Sequence, residues 1–132
     1  MDTAAQVIRW WKPTPQAAQT ASGHLVNLII DGKKVAAPEG VSALSAASAA
    51  GIYIPALCAH PDLPPSCSRA GGTGACNLCM VQVAGKAEPQ HACSLPVAEG
   101  LVITVTTPEI ERIRKEGIAK TLGTHPHVCL TC

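Results

Sequence analysis

Cys58, Cys76, Cys79 and Cys93 follow one another as C-x17-C-x2-C-x13-C, and the middle pair sits in the glycine-rich run G-T-G-A-C-N-L-C. Four soft sulfur ligands in this order suit iron in a [2Fe–2S] centre, which takes two cysteine sulfurs per iron, and one loop can deliver Cys76 and Cys79 together. Gly71, Gly72 and Gly74 let the backbone curl tightly and bring N–H groups close to the inorganic sulfides. Such a chain is expected to carry electrons rather than to make and break bonds. Zinc also prefers four thiolates, but zinc ribbons use two facing C-x2-C knuckles and this stretch has one. Cys67 lies midway between Cys58 and Cys76, so by spacing alone it could replace either. A Rieske-type centre needs paired cysteine–histidine motifs; Cys58-Ala59-His60 resembles the first, but Cys76 and Cys79 are followed by Asn77 and Met80.

A length of 132 residues allows one domain with an extension, or one domain and the start of a second. With no Phe, two Trp and one Tyr, the core must be built from Val, Ile, Leu and Ala. Thin cores of this kind often lean on a metal or cluster. A formal charge of +1 without a basic stripe argues against a nucleic-acid partner and against a membrane-surface protein. Seven cysteines also raise the alternative of a secreted disulfide framework. Met1 to Pro15 argues against it, because Asp2, Arg9 and Lys12 interrupt any signal-like apolar run. The longest weakly polar stretch, Val41 to Ile54, is Ala- and Ser-rich with Gly51 inside it, so no direct membrane insertion is expected. The expected compartment is a reducing cytoplasm. Gly71-Gly72-Thr73-Gly74 lies within the cysteine loop and does not open a helix after a strand, which removes a nucleotide loop.

Along the chain, residues 1–23 read as an extension, with Pro13 and Pro15 breaking any helix and Trp10 and Trp11 as its bulky feature, either packed on the domain or anchoring a partner. Residues 24–107 read as the domain proper and 108–132 as a helix leading into a second His/Cys segment. Val26 to Ile30, the turn Asp31-Gly32 and Lys33 to Ala37 predict a hairpin. Ser42 can N-cap a helix running through Ala50, with Leu44, Ala47 and Ala50 or Gly51 on its buried face. Cys79 to Ala84 alternates as a half-buried strand would, and Leu101 to Val105 closes the sheet. Hairpin, helix and cysteine loop, in that order, predict an α+β fold of β-grasp ferredoxin type. Beyond it, Ile110, Ile113, Gly117 and Thr121 mark one stripe of a helix, with Ile118 and Leu122 beside it, Pro108 in its first turn and Gly123 as its stop. His91 reads as a surface residue or a neighbour of the ligands, and His127 has no role that the residues suggest.

The runs L-C-A-H-P-D-L, G-A-C-N-L-C-M-V-Q-V-A-G, A-C-S-L-P-V-A-E-G and H-P-H-V-C-L-T-C together resemble a known family over about Leu25 to Cys132. It is the N-terminal iron–sulfur region of the large electron-transfer subunit of respiratory complex I, with similar relatives in NAD-linked hydrogenases and formate dehydrogenases. The resemblance implies that Cys58, Cys76, Cys79 and Cys93 hold a [2Fe–2S] cluster, and it favours Cys76 over Cys67. It further implies that His125, Cys129 and Cys132 match the first three ligands of an H-x3-C-x2-C-x5-C motif for a [4Fe–4S] cluster. The fourth ligand would lie beyond Cys132, so the 132 residues are expected to be part of a longer polypeptide. One departure is the longer gap between the first two cysteines, where the insertion, roughly P-S-C-S-R-A-G, carries Cys67. The implied function is one-electron transfer as a module of a larger NAD(P)- or flavin-linked oxidoreductase, with partner subunits carrying flavin or further iron–sulfur clusters. A standalone ferredoxin and a zinc-stabilised interaction module are the alternatives; a near-neutral charge fits the first poorly, since such carriers are usually strongly acidic.

Overall fold

The computed structural model of the chain describes residues 23–59 and 76–124. The hairpin forms as its turn signal requires. Strand β1 (Leu25–Ile30) pairs antiparallel with β2 (Lys33–Pro38), Ile30 opposite Lys33. The two residues between them take positive φ, Asp31 at 47° and Gly32 at 78°, which is the geometry of a two-residue turn matched to strand twist. Asp31 does more than turn. Its Oδ1 accepts the backbone N–H of Val105 at 2.8 Å and its own N–H donates to Ile103 O at 2.9 Å, so the turn is tied to a strand far along the chain.

Helix α1 (Ala43–Ala49) begins where Ser42 caps it, the Ser42 hydroxyl accepting the Ser45 N–H at 3.1 Å. Its buried residues are Ala43, Ala46 and Ala47. Ala47 is buried as expected and Leu44 packs against the core while partly exposed, but Ala50 and Gly51 are exposed, so the inward face is centred on Ala43, Ala46 and Ala47. Small side chains let the helix lie close to the sheet.

Three further strands complete a five-stranded sheet in the order β2-β1-β5-β3-β4: β3 (Met80–Val83), β4 (Gln90–His91) and β5 (Val102–Thr104). β5 falls within the expected Leu101 to Val105 and joins the sheet. It lies inside the sheet, parallel to β1 and antiparallel to β3. This mixed sheet with a helix packed on it is the expected α+β, β-grasp arrangement. Val26, Leu28 and Ile30 of β1, Val81 of β3, and Ile103 of β5 join one core with the α1 alanines. Burying Leu28, Ile30 and Ile103 contributes about 1.5–3 kcal/mol each.

The second helix, α2 (Pro108–Thr124), starts at Thr107, whose hydroxyl accepts the Ile110 N–H at 3.2 Å. Pro108 occupies the first helical position and Glu109 and Glu111 the first turn, as the positive helix end favours. Ile110 and Gly117 are its buried residues, whereas Ile118 and Leu122 are exposed. Gly123 does not stop the helix, which continues to Thr124, the last described residue of this part. Because α2 covers the sheet at β3, Met80 is buried as well as Val81 and Val83, and β3 is sheathed on both sides rather than half exposed. No helix among the described residues is long and apolar enough to cross a membrane.

Candidate functional site

Each cysteine is placed by a specific piece of backbone. The β3–β4 ladder pairs Met80 with His91 and is extended by the Ala92 N–H, which donates to Cys79 O at 2.9 Å. That bond sets Cys79, just before β3, beside Cys93, just after β4. Helix α1 then holds the Cys93 segment: the N–H groups of Ala43 and Leu44 donate to Leu95 O at 2.7 Å and Ala92 O at 3.0 Å. These are orphan donors of the first helical turn, so one set of bonds finishes the helix and fixes the loop. Between Cys76 and Cys79, Asn77 takes φ of 52°, a left-handed conformation that Asn tolerates better than most residues. Its Oδ1 lies 3.0 Å from His91 Nε2, so the half-buried His91 braces the loop.

The sulfurs fall into two hydrogen-bonded pairs, Cys58 with Cys76 and Cys79 with Cys93. Cys76, Cys79 and Cys93 are buried and Cys58 is partly exposed. The hydrogen bond from Cys93 is the largest influence on Cys79 and, against the opposing cost of burial, brings its pKa from 9.0 to about 6, helped by the Cys93 N–H and the charge of His91. Burial pushes the Cys76 thiol up, but the N–H groups of Leu78, Leu57 and Cys58 together with the Cys58 side chain outweigh it and leave Cys76 below its usual value. Backbone N–H groups aimed at sulfur are what an anionic thiolate site needs. Among the described residues no three His, Cys, Asp or Glu side chains converge on a single metal-ion position. Two thiol pairs suit a centre with two metal atoms better than one tetrahedral zinc.

Two residues of α2 secure this loop, and neither stands out in the sequence as a site residue. Arg114 Nε donates to Leu78 O, and one of its terminal nitrogens donates to both Met80 O and Val105 O, each at 2.9 Å. Its fork thereby satisfies carbonyls on either side of Cys79 and one after β5. Burial lowers the guanidinium's pKa, and the negative charge of Cys79 is the strongest influence opposing that. Gly117 faces the Cys76 carbonyl so closely that a Cβ there would collide with it. The one legible hint was a glycine inside a helix, which costs about 1 kcal/mol and usually has a packing reason. Arg114 offered no such signal. His60, Cys67, Gly71, Gly72 and Gly74 lie outside the described residues, as do Trp10, Trp11, His125, His127, Cys129 and Cys132.

A β-grasp sheet carrying two thiol pairs under amide donors defines an α+β domain of the [2Fe–2S] ferredoxin-like class. The chain belongs to the 2Fe-2S iron-sulfur cluster binding domain family, whose model matches residues 23–108. Among curated proteins it is 35% identical over 108 residues to NADPH-Fe(3+) oxidoreductase subunit alpha of Geobacter sulfurreducens, covering 82% of this chain and 12% of that protein. It is 34% identical over 118 residues to a subunit of the NADH-quinone oxidoreductase of Streptomyces coelicolor, covering 88% of this chain and 13% of that one. The chain therefore spans only a small part of the length of these relatives. A solved NAD+-reducing [NiFe]-hydrogenase in the H2-reduced state matches with a TM-score of 0.66 and 31% identity, over 81% of this chain and 42% of that one.

Proposed function

We propose that Cys58, Cys76, Cys79 and Cys93 ligate one [2Fe–2S] cluster, Cys58 and Cys76 on one iron and Cys79 and Cys93 on the other, and that the domain passes single electrons within a larger oxidoreductase. The observation that carries the assignment is the pairing of the four sulfurs, Cys58 with Cys76 and Cys79 with Cys93, brought together from the segments after α1, before β3 and after β4. When bound, the cluster supplies one-electron redox chemistry. The chain supplies the rest: thiols already biased toward thiolate, N–H groups of Leu57, Cys58 and Leu78 that stabilise negative sulfur, and a loop fixed so that little moves when charge changes. Cys67 is then a spare thiol of the inserted loop.

The partners in this reading are subunits carrying flavin or further iron–sulfur clusters, in an NAD(P)- or flavin-linked complex. The names of the relatives support it, since all are redox subunits or assemblies. The domain organisation is an extension over 1–23, the cluster domain over 24–107 and a second segment over 108–132, in which His125, Cys129 and Cys132 are ligands of a [4Fe–4S] cluster. A cytoplasmic location goes with this reading, because a reducing compartment keeps thiols available as ligands. Serine substitutions test the ligand set. Cys76→Ser and Cys79→Ser are expected to abolish or severely weaken the reduced-state EPR signal, and Cys67→Ser to leave it nearly intact. A normal signal in Cys76→Ser with loss in Cys67→Ser would overturn the assignment.

A further inference from the structure

The guanidinium of Arg114 is held by the carbonyls of Leu78 and Met80, the residues immediately before and after Cys79, and by Val105 O, all at 2.9 Å. This is a cation fixed beside the cysteine loop by three bonds, on a helix that itself touches the loop at Gly117. It is not an exposed surface charge: Arg114 is partly buried, and the acidic side chains that act on it are Glu111 and Asp31. Reduction of a [2Fe–2S] centre with four thiolate ligands brings in one electron from the donor and no proton, so a site that is already anionic gains a further negative charge. A nearby fixed cation favours that product over the oxidised form.

We propose that Arg114 is a positioning residue that also raises the reduction potential of the cluster, its fork holding the Leu78–Met80 backbone and its charge stabilising the reduced state. Glu111, one turn earlier on α2, works against it in part. The inference rests on the ligand assignment made above. Charge and clamp separate by substitution, since lysine keeps the charge but not the planar fork, and glutamine or methionine keeps neither.

The experiment is a dithionite titration of the cluster-loaded 132-residue chain, followed by EPR, for wild type, Arg114→Gln, Arg114→Met and Arg114→Lys. The neutral variants are expected to be reduced less readily by about tenfold in the equilibrium constant, or about 59 mV for a one-electron couple, while Arg114→Lys stays within about twofold of wild type. Loss of the fork should instead show in all three variants as a lower melting temperature. Unchanged potentials in the neutral variants, or a shift in Arg114→Lys as large as theirs, would overturn the proposal. So would failure of both neutral variants to hold a cluster, which would make Arg114 a structural residue only. A wild-type chain that holds no cluster would count against the ligand assignment instead, which keeps the two failures apart.

Discussion

At the scale of single residues, the site depends on a few atoms that must sit in one place. Gly117 is the clearest case, because the Cys76 carbonyl occupies the space a side chain would need. Gly117→Ala gains about 1 kcal/mol of helix propensity but forces the helix off the loop, and overpacking of this kind costs about 1–3 kcal/mol. The expected result is a destabilised domain with a weaker hold on its cluster, measured by chemical denaturation and by the rate of cluster loss to a chelator. An alanine variant as stable as wild type would show that the helix can retreat freely. Cys79 carries the second residue-scale expectation. Its pKa in the metal-free fold is about 6 against 9.0 ordinarily, so the fold prefers the thiolate. Its stabilising contribution is therefore complete above about pH 9 and lost as the pH falls through about 6. The metal-free chain under reducing conditions should melt at a higher temperature at pH 9 than at pH 6, and Cys79→Ser should flatten that difference.

At the scale of elements, the strongest local signals were the ones that proved readable. Asp31-Gly32 between a β-branched and leucine run and a second extended segment specified the hairpin, and Ser42 specified the start of α1, because turn chemistry and capping are settled within a few residues. What depended on distant partners was not readable. The interior position of β5 follows from its parallel pairing with β1, and the burial of Met80 follows from α2 lying over β3. Gly123 looked like a helix stop but stays in the helix, since glycine there is permitted rather than required to turn. The four cysteines were legible as a set; their grouping into two pairs was not, because it rests on the Ala92 to Cys79 bond across the sheet. Asp31 joins the two classes, being a visible turn residue with an invisible second task. Asp31→Ala should remove the bond to the Val105 N–H and cost about 1.5 kcal/mol, seen as a lower denaturation midpoint with an unchanged slope. Asp31→Asn, which can still accept that bond, should recover much of the loss.

At the scale of the whole molecule, a small aliphatic core is joined to a metal site by shared hydrogen bonds, so folding and cluster binding reinforce each other. The N-terminal turn of α1 holds the Cys93 segment, the β3–β4 ladder sets Cys79 beside it, and α2 presses on the Cys76 loop. Removing iron with a chelator is expected to lower the melting temperature by many degrees, because binding to the folded state alone is folding free energy. Electron transfer then needs only that the site change charge while its backbone stays in place. The measurement that bears most directly on this account is iron and acid-labile sulfide content combined with EPR of the dithionite-reduced chain, made on wild type and on the Cys67→Ser and Cys76→Ser variants. The expected result is a reduced [2Fe–2S] signal from about two irons and two sulfides held by the ligand set of Cys58, Cys76, Cys79 and Cys93, kept in Cys67→Ser and lost in Cys76→Ser. A colourless chain containing zinc, or a cluster that survives Cys76→Ser and disappears with Cys67→Ser, would contradict it.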